Sequence, residues 1–378
     1  MTLLAQEFEL EPEIVYLNHA AVAPWPKRTK EAVIQFAEEN CRVGATHYPR
    51  WQQKERELRE QFKEVLNAPS SDDIALVKNT SEALSFVAYG LDWKTGDNIV
   101  TSSEEFPSNR IPWESLSTKG VELRQAAIHT DNPEQALFQH VDNHTRLITV
   151  SSVQYASGRR MNLEQIGEFC RKQSVLFCVD AIQSLGALQS DVQRWQADYV
   201  MADGHKWLLG PEGLGVFYST PDARDRLSLS QYGWHMVENA GDYDNPAWEI
   251  AKSARRFECG SPNMLGIHAL SASLSLLLEV GLESIEKRVL DNTHYLIEAI
   301  LAAPDLTLLS PVYPAQRSGI VTFKPVNADT QALFQTLRRQ NIICAHRGGG
   351  IRFSPHFYTQ KEALERAMEA VRQFQALN

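Results

Sequence analysis

Short apolar runs alternate with helical patterns through the first half of the chain. Between the runs, apolar residues recur at three- and four-residue spacing in segments 82–90, 162–173 and 181–186, which predicts helices. Strands that alternate with helices in this way indicate a mostly parallel, doubly wound α/β sheet. The seven predicted strands lie at 74–77, 98–101, 121–123, 147–150, 175–179, 199–201 and 215–217.

The pattern changes after Gly260. A long apolar helix is predicted at 267–280 and a charged helix at 283–302, followed by a break at Pro304 and Pro311. The remaining patterns predict a smaller α+β domain. They comprise strands at 320–323, 342–344 and 351–353 and helices at 329–339 and 360–377.

These patterns divide the chain into an N-terminal segment 1–15, a large domain 16–255 and a small C-terminal domain 256–378. The connection between the two domains is not a flexible Gly/Ser tether. We therefore expect the domains to share an interface, which is a common place for a small-molecule site.

The charge balance excludes two classes of partner. Asp and Glu number 47 against 37 Lys and Arg, so the net charge is -10. An acidic chain of this kind is not typical of proteins that bind nucleic acid or a membrane surface. The most apolar stretch, 269–282, is also too short and too polar for a membrane span. We therefore expect a small-molecule partner, with no nucleic acid and no membrane.

Cysteine usage and the first residues indicate a cytoplasmic protein. The five cysteines are scattered and form no C-x-x-C pair, so neither a disulfide framework nor a zinc ribbon is predicted. Residues 1–20 carry four glutamates and no apolar core of a secretory signal. The eleven histidines form no cluster with ligand spacing, and we predict no metal site.

Lys206 is the first candidate for chemistry. It follows an apolar strand pattern and the pair Gly204 and His205, and a Gly-rich return to the next strand comes after it. Most lysines are solvated surface charges. The position at a strand end before a Gly-rich return is what favours a functional role for this one.

Asp180 ends another buried-strand pattern, directly before a predicted helix. A helix N-cap is the simple alternative for this aspartate. Taken with Lys206, however, a carboxylate and an amine on adjacent strand ends match a pyridoxal cofactor. That cofactor takes a lysine amine for a Schiff base and a carboxylate against its ring nitrogen.

Thr80 and Ser81 open a predicted helix directly after a strand. Small hydroxyl residues at this position are typical of helix capping. A helix N-terminus with free N–H groups and hydroxyls is also a phosphate cradle. The residues alone leave both interpretations open.

In their order and spacing, these motifs resemble the class V aminotransferase family of fold type I pyridoxal-phosphate enzymes. The group includes cysteine desulfurases, selenocysteine lyases, kynureninases and isopenicillin N epimerases. The resemblance implies pyridoxal 5'-phosphate as cofactor, a seven-stranded large domain with a smaller α+β domain, and a homodimer with shared active sites. The matching segments lie at 16–26, 80–81, 179–183, 203–206, 256–262 and 351–358.

The resemblance implies roles for residues around the cofactor ring. Lys206 would form the Schiff base and move the proton at the substrate's α-carbon, and Asp180 would pair with the pyridine nitrogen. Gln183 would donate toward the phenolic oxygen, and Phe106 would stack on the ring, with core packing as its alternative. Gln154 would contact a cofactor oxygen or the substrate, unless it is a capping amide.

The resemblance also implies a phosphate site. Thr80, Ser81 and His205 would bind the phosphate, and Ser261 would reach the phosphate of the neighbouring subunit, with a plain turn as its alternative. Asp203 departs from the pattern, since many desulfurases have a hydroxyl residue there. This anion would repel a phosphate unless it turns away or pairs with His205.

Arg352 resembles the arginine that binds the substrate carboxylate, and Arg347 is a second candidate. The desulfurases carry a catalytic cysteine on a long loop before this arginine. Here only eight residues separate Cys344 from Arg352, and Cys344 belongs to a strand pattern. A cysteine in a strand is more often buried and inert, so persulfide chemistry is disfavoured.

We therefore expect a pyridoxal-phosphate enzyme that acts on an amino acid, with a class V aminotransferase as the first interpretation. A C–S lyase without the catalytic cysteine loop and an amino-acid epimerase are the alternatives. A non-catalytic pyridoxal-phosphate-binding protein is a further hypothesis. All of these reactions share one cofactor and one fold, which do not select among them.

Overall fold

The computed structural model describes residues 6–376, and its large sheet has seven strands, as predicted. A two-residue strand, β1 (Val15–Tyr16), precedes them in the chain. The seven strands are β2 (Ile74–Val77), β3 (Asn98–Ser102), β4 (Glu122–Ala126), β5 (Thr145–Ser151), β6 (Leu176–Asp180), β7 (Tyr199–Asp203) and β8 (Gly215–Ser219).

The large sheet is mostly parallel. Its strand order is β2-β8-β7-β6-β5-β3-β4. Strand β8 runs antiparallel to both of its neighbours, and all the other pairs are parallel. The carboxyl ends of β6 and β7 therefore lie side by side at one edge of the sheet, where ligands bind in folds of this class.

Both faces of the sheet are apolar, which is why its strands read as continuous apolar runs. Successive side chains of a strand point to opposite faces. In β7, Val200 and Ala202 belong to one buried cluster, and Tyr199 and Met201 belong to another. Helices cover both faces, as a doubly wound sheet requires.

Between residues 8 and 280 the structure has eight α-helices, the last of which is the apolar helix predicted at 267–280. Predicted segments 82–90 and 162–173 correspond to the third and sixth of these. They are α1 (Lys27–Val43), α2 (Tyr48–Leu66), α3 (Thr80–Gly90), α4 (Ile111–Glu114), α5 (Pro133–Phe138), α6 (Leu163–Gln173) and α7 (Pro221–Arg224), with the apolar helix itself, α8 (Met264–Val280), following.

The helix predicted at 181–186 is wrong. These residues form turns instead, beginning with the Asp180 carboxylate, which accepts a hydrogen bond from the backbone N–H of Ile182 at 3.0 Å. Gly186 has a φ of 95°, and a Cβ there would lie 2.5 Å from the carbonyl oxygen of Trp207. The segment at Trp207 therefore lies too close to Gly186 for any residue with a side chain. This contact favours a turn, although the spacing of apolar residues at 181–186 is that of a helix.

The smaller sheet is antiparallel and confirms the α+β prediction for the C-terminal part. The strands and helices here are α9 (Leu282–Leu301), β9 (Leu306–Leu308), β10 (Val321–Pro325), α10 (Thr330–Arg339), β11 (Ile342–Ile343), β12 (Ala345–Arg347), β13 (Gly350–Phe353) and α11 (Lys361–Ala376). The strand order of the smaller sheet is β12-β13-β10-β9. Residue 377, the predicted end of the last helix, lies outside the described residues.

Two sets of contacts cross the predicted boundary at residues 255 and 256, which stays a prediction. Helix α8 packs against α1 and α2, where Ile267 and Leu270 share a buried cluster with Leu58 and Phe62. At the other end, β1 pairs in parallel with β11. The first and last parts of the chain are therefore packed together.

Among residues 6–376, no single helix is long and apolar enough to cross a membrane. Helices α8 and α9 reach that length only together, across a bend of 83°.

His19, which follows β1, forms hydrogen bonds with residues of the C-terminal part of the chain. Its Nδ1 lies 2.8 Å from the carbonyl oxygen of Ser354, and its Nε2 lies 2.7 Å from the hydroxyl of Tyr358. The imidazole is fully buried, and burial lowers the pKa of His19 to about 4. Burial also lowers the pKa of the neighbouring His356.

We expect His19 to make folding sensitive to mild acid. In the unfolded chain the imidazole is protonated below about pH 6.5, whereas in the folded chain it is protonated only below about pH 4. The free energy of unfolding should therefore fall as the pH decreases from 6.5 to 4. The contribution of His19 is about 1.4 kcal/mol per pH unit. Denaturant unfolding at several pH values measures it.

The variant His19→Asn keeps a donor near Ser354 and removes the titrating ring. It should be less stable than the wild type at pH 7, and the difference should shrink as the pH decreases to 4. Replacing the exposed His140 by Asn is the control and should leave the wild-type pH dependence unchanged. Parallel pH curves for His19→Asn and the wild type would contradict the assignment.

Candidate active site

A cavity of about 240 Å3 lies at the carboxyl ends of β6 and β7. The N-terminus of α3, the loop after β3 and the hairpin of β12 and β13 complete its walls. It brings together ten of the twelve predicted site residues. These are Thr80, Ser81, Phe106, Asp180, Gln183, Asp203, His205, Lys206, Arg347 and Arg352.

Lys206 and Asp180 form the buried centre of the cavity. Asp180 is the last residue of β6 and is 1% exposed, while Lys206 lies three residues beyond the end of β7 and is 9% exposed. Burial lowers the pKa of Lys206, although the Asp180 carboxylate opposes this shift. Burial also raises the pKa of Asp180, and the nearby Glu105 carboxylate adds to that rise.

These shifts suit the pair to proton chemistry near neutral pH. A lysine with a lowered pKa carries more of its free amine, which is the nucleophilic and proton-accepting form. A carboxyl group with a raised pKa can share a proton with a basic group that faces it. Perturbed groups of opposite kinds in one cavity are typical of active sites.

Gln183 connects the cavity to the N-terminal part of the chain. Its Nε2 donates to the carbonyl oxygen of Ala20 at 3.0 Å, and its Oε1 accepts from the indole N–H of Trp207 at 3.1 Å. The amide has a second hydrogen on Nε2. Gln183 is therefore held in one orientation and retains one donor.

The N-terminus of α3 supplies unpartnered polar groups. The Asn79 side chain caps the helix by accepting from the N–H of Glu82 at 2.9 Å. Thr80 is buried and its Oγ1 has no hydrogen-bond partner among the described residues. Ser81 Oγ donates to Ser108 Oγ at 2.9 Å. Asn79 therefore caps the helix, and Thr80 Oγ1 stays available to a ligand, so a phosphate cradle at this helix N-terminus remains a prediction.

Asp203 pairs with its neighbours rather than standing alone. Its Oδ1 accepts from the N–H of Gly204 at 2.8 Å and lies 3.1 Å from Nδ1 of His205. Despite this short distance, Nδ1 of His205 has no hydrogen-bond partner within residues 6–376. Of the two arrangements expected for this anion, the structure shows proximity to His205.

Phe106 lies at the mouth of the cavity. Its ring is 41% exposed, and its centroid lies 5.6 Å from Nζ of Lys206. Tyr155 packs edge-on against this ring, with centroids 5.2 Å apart. The exposure argues against the core-packing alternative and leaves a flat apolar surface beside Lys206.

Two arginines line the same cavity from the β12–β13 hairpin. Arg352 is 2% exposed, and its Nη1 donates to the carbonyl oxygen of Tyr155 at 2.7 Å. Its Nε has no partner in the described part of the chain. Burial, with the charge of Arg347, lowers the pKa of Arg352 to about 10. A buried guanidinium with free donors is suited to binding a carboxylate.

Gln154 and Ser261 do not line this cavity. Gln154 is fully buried behind it and donates to Oε1 of Glu105 at 2.9 Å, while its own Oε1 has no partner among the described residues. Ser261 is exposed, in the turn before α8. Its assigned contact with a neighbouring subunit stays a prediction.

Sequence reasoning missed six residues that line the cavity. Asn79 directly precedes Thr80, and Ser108 follows Phe106 by two residues, so their closeness to residues that had been singled out gave a signal. Tyr155 contributes a backbone carbonyl, which no side-chain pattern reveals. The full set is Ala20, Ala21, Asn79, Ser108, Tyr155 and Ile182.

A larger cavity, of about 700 Å3, lies elsewhere. Residues between Tyr232 and Glu249 line it, including the exposed Trp234, Tyr243 and Trp248. It contains no lysine or arginine. We therefore assign the chemistry to the smaller cavity, where the perturbed groups converge.

A family model described as aminotransferase class-V matches residues 15–366. The chain belongs to the aminotransferase class-V family. A probable cysteine desulfurase of Methanothermobacter thermautotrophicus is 30% identical, and the alignment covers 93% of this chain and 92% of that protein. An uncharacterized aminotransferase of Bacillus subtilis is 29% identical over 83% of this chain and 82% of its own length.

Solved structures of other proteins share the fold. The apo cysteine desulfurase of Thermococcus onnurineus NA1 superposes with a TM-score of 0.87 at 24% identity, over 98% of this chain and 97% of that one. The cystine C-S lyase C-DES, in complex with cysteine persulfide, superposes with a TM-score of 0.88 at 24% identity, over 95% and 97% of the two chains. The predicted fold type I architecture is thereby confirmed.

The class V enzymes depend on pyridoxal 5'-phosphate, and this chain is a pyridoxal-phosphate-dependent enzyme. Its cavity fits the cofactor. Thr80 Oγ1 and His205 Nδ1 are buried polar atoms that make no hydrogen bond within residues 6–376, although Nδ1 lies 3.1 Å from Oδ1 of Asp203, and a phosphate would satisfy them. Lys206 and Asp180 would supply the amine and the carboxylate, and the exposed face of Phe106 suits a planar ring.

Metal ligands do not converge in this cavity. Across residues 6–376, no group of three or more His, Cys, Asp or Glu side chains is arranged to hold a metal ion.

Replacing Thr80 by Val tests the phosphate cradle. The change keeps the shape and removes Oγ1, which has no hydrogen-bond partner to lose among residues 6–376. We expect the affinity for pyridoxal 5'-phosphate to fall roughly ten- to a hundredfold, as for the loss of a hydrogen bond to a charged group. Thermal unfolding of the apoprotein should be unchanged. A titration of the apoprotein with the cofactor measures the affinity.

Pyridoxal, which lacks the phosphate, is the control ligand and should bind Thr80→Val and the wild type equally. Ser85→Ala, on the same helix but outside the cavity, is the control variant. An equal loss of affinity for both ligands would show that Thr80 does not face the phosphate.

Proposed function

We propose that this enzyme is a C–S lyase that cleaves the carbon–sulfur bond of a cysteine-type amino acid and releases the sulfur as a small molecule. The observation that carries the proposal is the placement of Cys344. It lies between β11 and β12, is 2% exposed, and does not line the cavity. Burial raises the pKa of Cys344 to about 12, which keeps the thiol protonated.

A protein-bound persulfide requires a reactive cysteine that reaches the substrate sulfur. None of the cavity's lining residues is a cysteine. The hairpin between β12 and β13 turns at Gly348 and Gly349, so no long loop is available to carry one. The sulfur therefore leaves directly as sulfide, thiol or persulfide, according to the substrate.

The names of relatives support C–S chemistry. Three sequence relatives are described as cysteine desulfurases or probable cysteine desulfurases, from Methanothermobacter thermautotrophicus, Pyrococcus abyssi and Salmonella newport. One structural neighbour is described as a cystine C-S lyase that forms cysteine persulfide. We therefore propose that this chain cleaves the same carbon–sulfur bond as these relatives. It would do so without a protein cysteine that accepts the sulfur.

The cofactor, when bound, withdraws electrons from the α-carbon of the substrate. Arg352 would bind the substrate carboxylate and fix that carbon next to Lys206. The Lys206 amine would then accept the α-proton, while Asp180 holds a proton on the ring nitrogen. The carbon–sulfur bond breaks with its electron pair on sulfur, which takes up a proton. One water molecule is consumed, and pyruvate, ammonium and the thiol are formed.

Transamination is the second candidate function. The Bacillus subtilis relative is described as an aminotransferase, and the same Lys206, Asp180 and Arg352 would serve that reaction. The two functions differ in their need for a second substrate. A lyase forms a keto acid continuously from one amino acid, whereas a transaminase stops until a keto acid acceptor is supplied.

We also propose a cytoplasmic homodimer in which Ser261 serves the partner's site. The role of Ser261 is supported by its position, because Ser261 is exposed and lies outside the cavity of its own subunit. Residues of an exposed turn are free to reach a neighbouring protomer.

The holoenzyme incubated with cysteine or cystine and no keto acid should form pyruvate and ammonium continuously. Lys206→Ala should lower the turnover roughly a hundred- to ten-thousandfold, because the proton acceptor is lost. Cys344→Ala should keep the wild-type turnover, because no sulfur passes through this residue. Coupled assays for pyruvate and sulfide measure both variants.

Two results would contradict the proposal. Loss of turnover in a folded Cys344→Ala variant would assign the sulfur transfer to that residue. Loss of the cofactor's visible absorption with an amino acid, restored only by a keto acid, would identify a transaminase instead.

A further inference from the structure

The cavity contains more positive side chains than one substrate carboxylate needs. Lys206, Arg347 and Arg352 line it, against the carboxylates of Asp180 and Asp203. Within residues 6–376, neither arginine forms an ion pair with a carboxylate. Arg352 donates to the carbonyl of Tyr155, and Arg347 donates to the carbonyl of His346 at 2.9 Å. Both guanidinium groups therefore keep free donors.

The register of the hairpin directs the two arginines to one side. Arg352 in β13 pairs with Ala345 in β12, and Arg347 pairs with Gly350. Side chains on paired residues, and on residues two apart in one strand, share a face of the sheet. Arg347 and Arg352 are therefore diagonal neighbours on the face that meets the cavity. Such neighbours lie about 7–8 Å apart.

The turn of the hairpin fixes this arrangement. Gly348 and Gly349 have φ values of 57° and 74°, and their positive φ allows a two-residue connection between the strands. A Cβ at Gly350 would lie 2.5 Å from the carbonyl oxygen of Phe323, so the residue opposite Arg347 has no side chain. The short turn leaves the Arg347 side chain beside the cavity rather than on a mobile loop.

The two guanidinium groups differ in depth. Arg352 is buried, whereas Arg347 is exposed. A ligand whose first carboxylate reaches Arg352 would extend its other end past Arg347 on the way to solvent. Two like charges on one face repel each other, so a ligand with one anion for each relieves the repulsion.

We propose that Arg347 binds a second anionic group, at the far end of the substrate's side chain. The substrate class is then an amino acid whose side chain ends in a carboxylate. Combined with the proposed C–S cleavage, on which this part rests, the substrate is a thioether or disulfide of cysteine whose sulfur substituent carries a carboxylate. The leaving group is then a carboxylate-bearing thiol or persulfide.

A pair of nearly isosteric substrates tests the proposal with the holoenzyme. S-carboxymethylcysteine carries the second carboxylate, and S-carbamoylmethylcysteine carries a neutral amide in its place. We expect kcat/KM to favour the carboxylate by roughly tenfold or more, as for a charge-assisted hydrogen bond. In Arg347→Gln this preference should disappear, because the KM for the carboxylate substrate should rise to that for the amide substrate.

Two further variants accompany Arg347→Gln. Arg347→Lys keeps the charge without the planar fork and should retain part of the preference. Arg339→Gln removes an exposed arginine of α10 outside the cavity and should retain all of it. A wild-type enzyme that cleaves both substrates with the same kcat/KM, or an Arg347→Gln variant that keeps the preference, would overturn the proposal.

Binding of unreactive acids gives a readout that does not need turnover. Calorimetry with the holoenzyme should show glutarate binding roughly tenfold or more tightly than its monoamide, and the difference should vanish in Arg347→Gln. If neither cysteine derivative is cleaved but this difference is found, the proposed lyase function fails and the role of Arg347 stands. If both are cleaved equally and glutarate shows no advantage, the lyase function stands and the role of Arg347 fails.

Discussion

The structure depends on one constraint, which is that charged groups are held away from water in a single cavity. Lys206, Asp180 and Arg352 are each at most 9% exposed. Burying an ion is costly unless a partner compensates it. The chain supplies only part of that compensation, since Arg352 has a carbonyl partner and no carboxylate among the described residues. A bound cofactor and substrate would supply the rest, which would link ligand binding to folding stability.

The fold positions these groups by means of rigid elements. Asp180 and Lys206 follow neighbouring strands of a sheet that is buried on both faces, so their separation is set by strand pairing. Thr80 comes from a capped helix and Arg352 from the centre of a short hairpin. The turn at Gly348 and Gly349 distinguishes the hairpin from a long cysteine-bearing loop. It favours direct release of sulfur and leaves Arg347 at the cavity's edge.

The sequence predicted what local patterns determine. The seven strands were predicted correctly because each is a short apolar run with polar or turn residues at both ends. Asp180 and Lys206 were identified because Asp180 ends such a run and Lys206 closely follows another. The helix predicted at 181–186 was wrong because a contact with Trp207, distant in sequence, determines the turn at Gly186. Tyr155 was missed because it acts through a backbone carbonyl. The burial that shifts the pKa of Lys206 also comes from tertiary packing, which spacing does not encode.

The pairing of β1 with β11 has a consequence for how the enzyme is made. Val15 and Tyr16 find their strand partners only at Ile342 and Ile343, near the other end of the chain. Ala20 and Ala21, which follow β1, form a wall of the cavity and hold Gln183. During synthesis, β1 leaves the ribosome long before β11, so the two strands can pair only after β11 has emerged. The wall that Ala20 and Ala21 form is therefore among the last parts of the cavity to be completed.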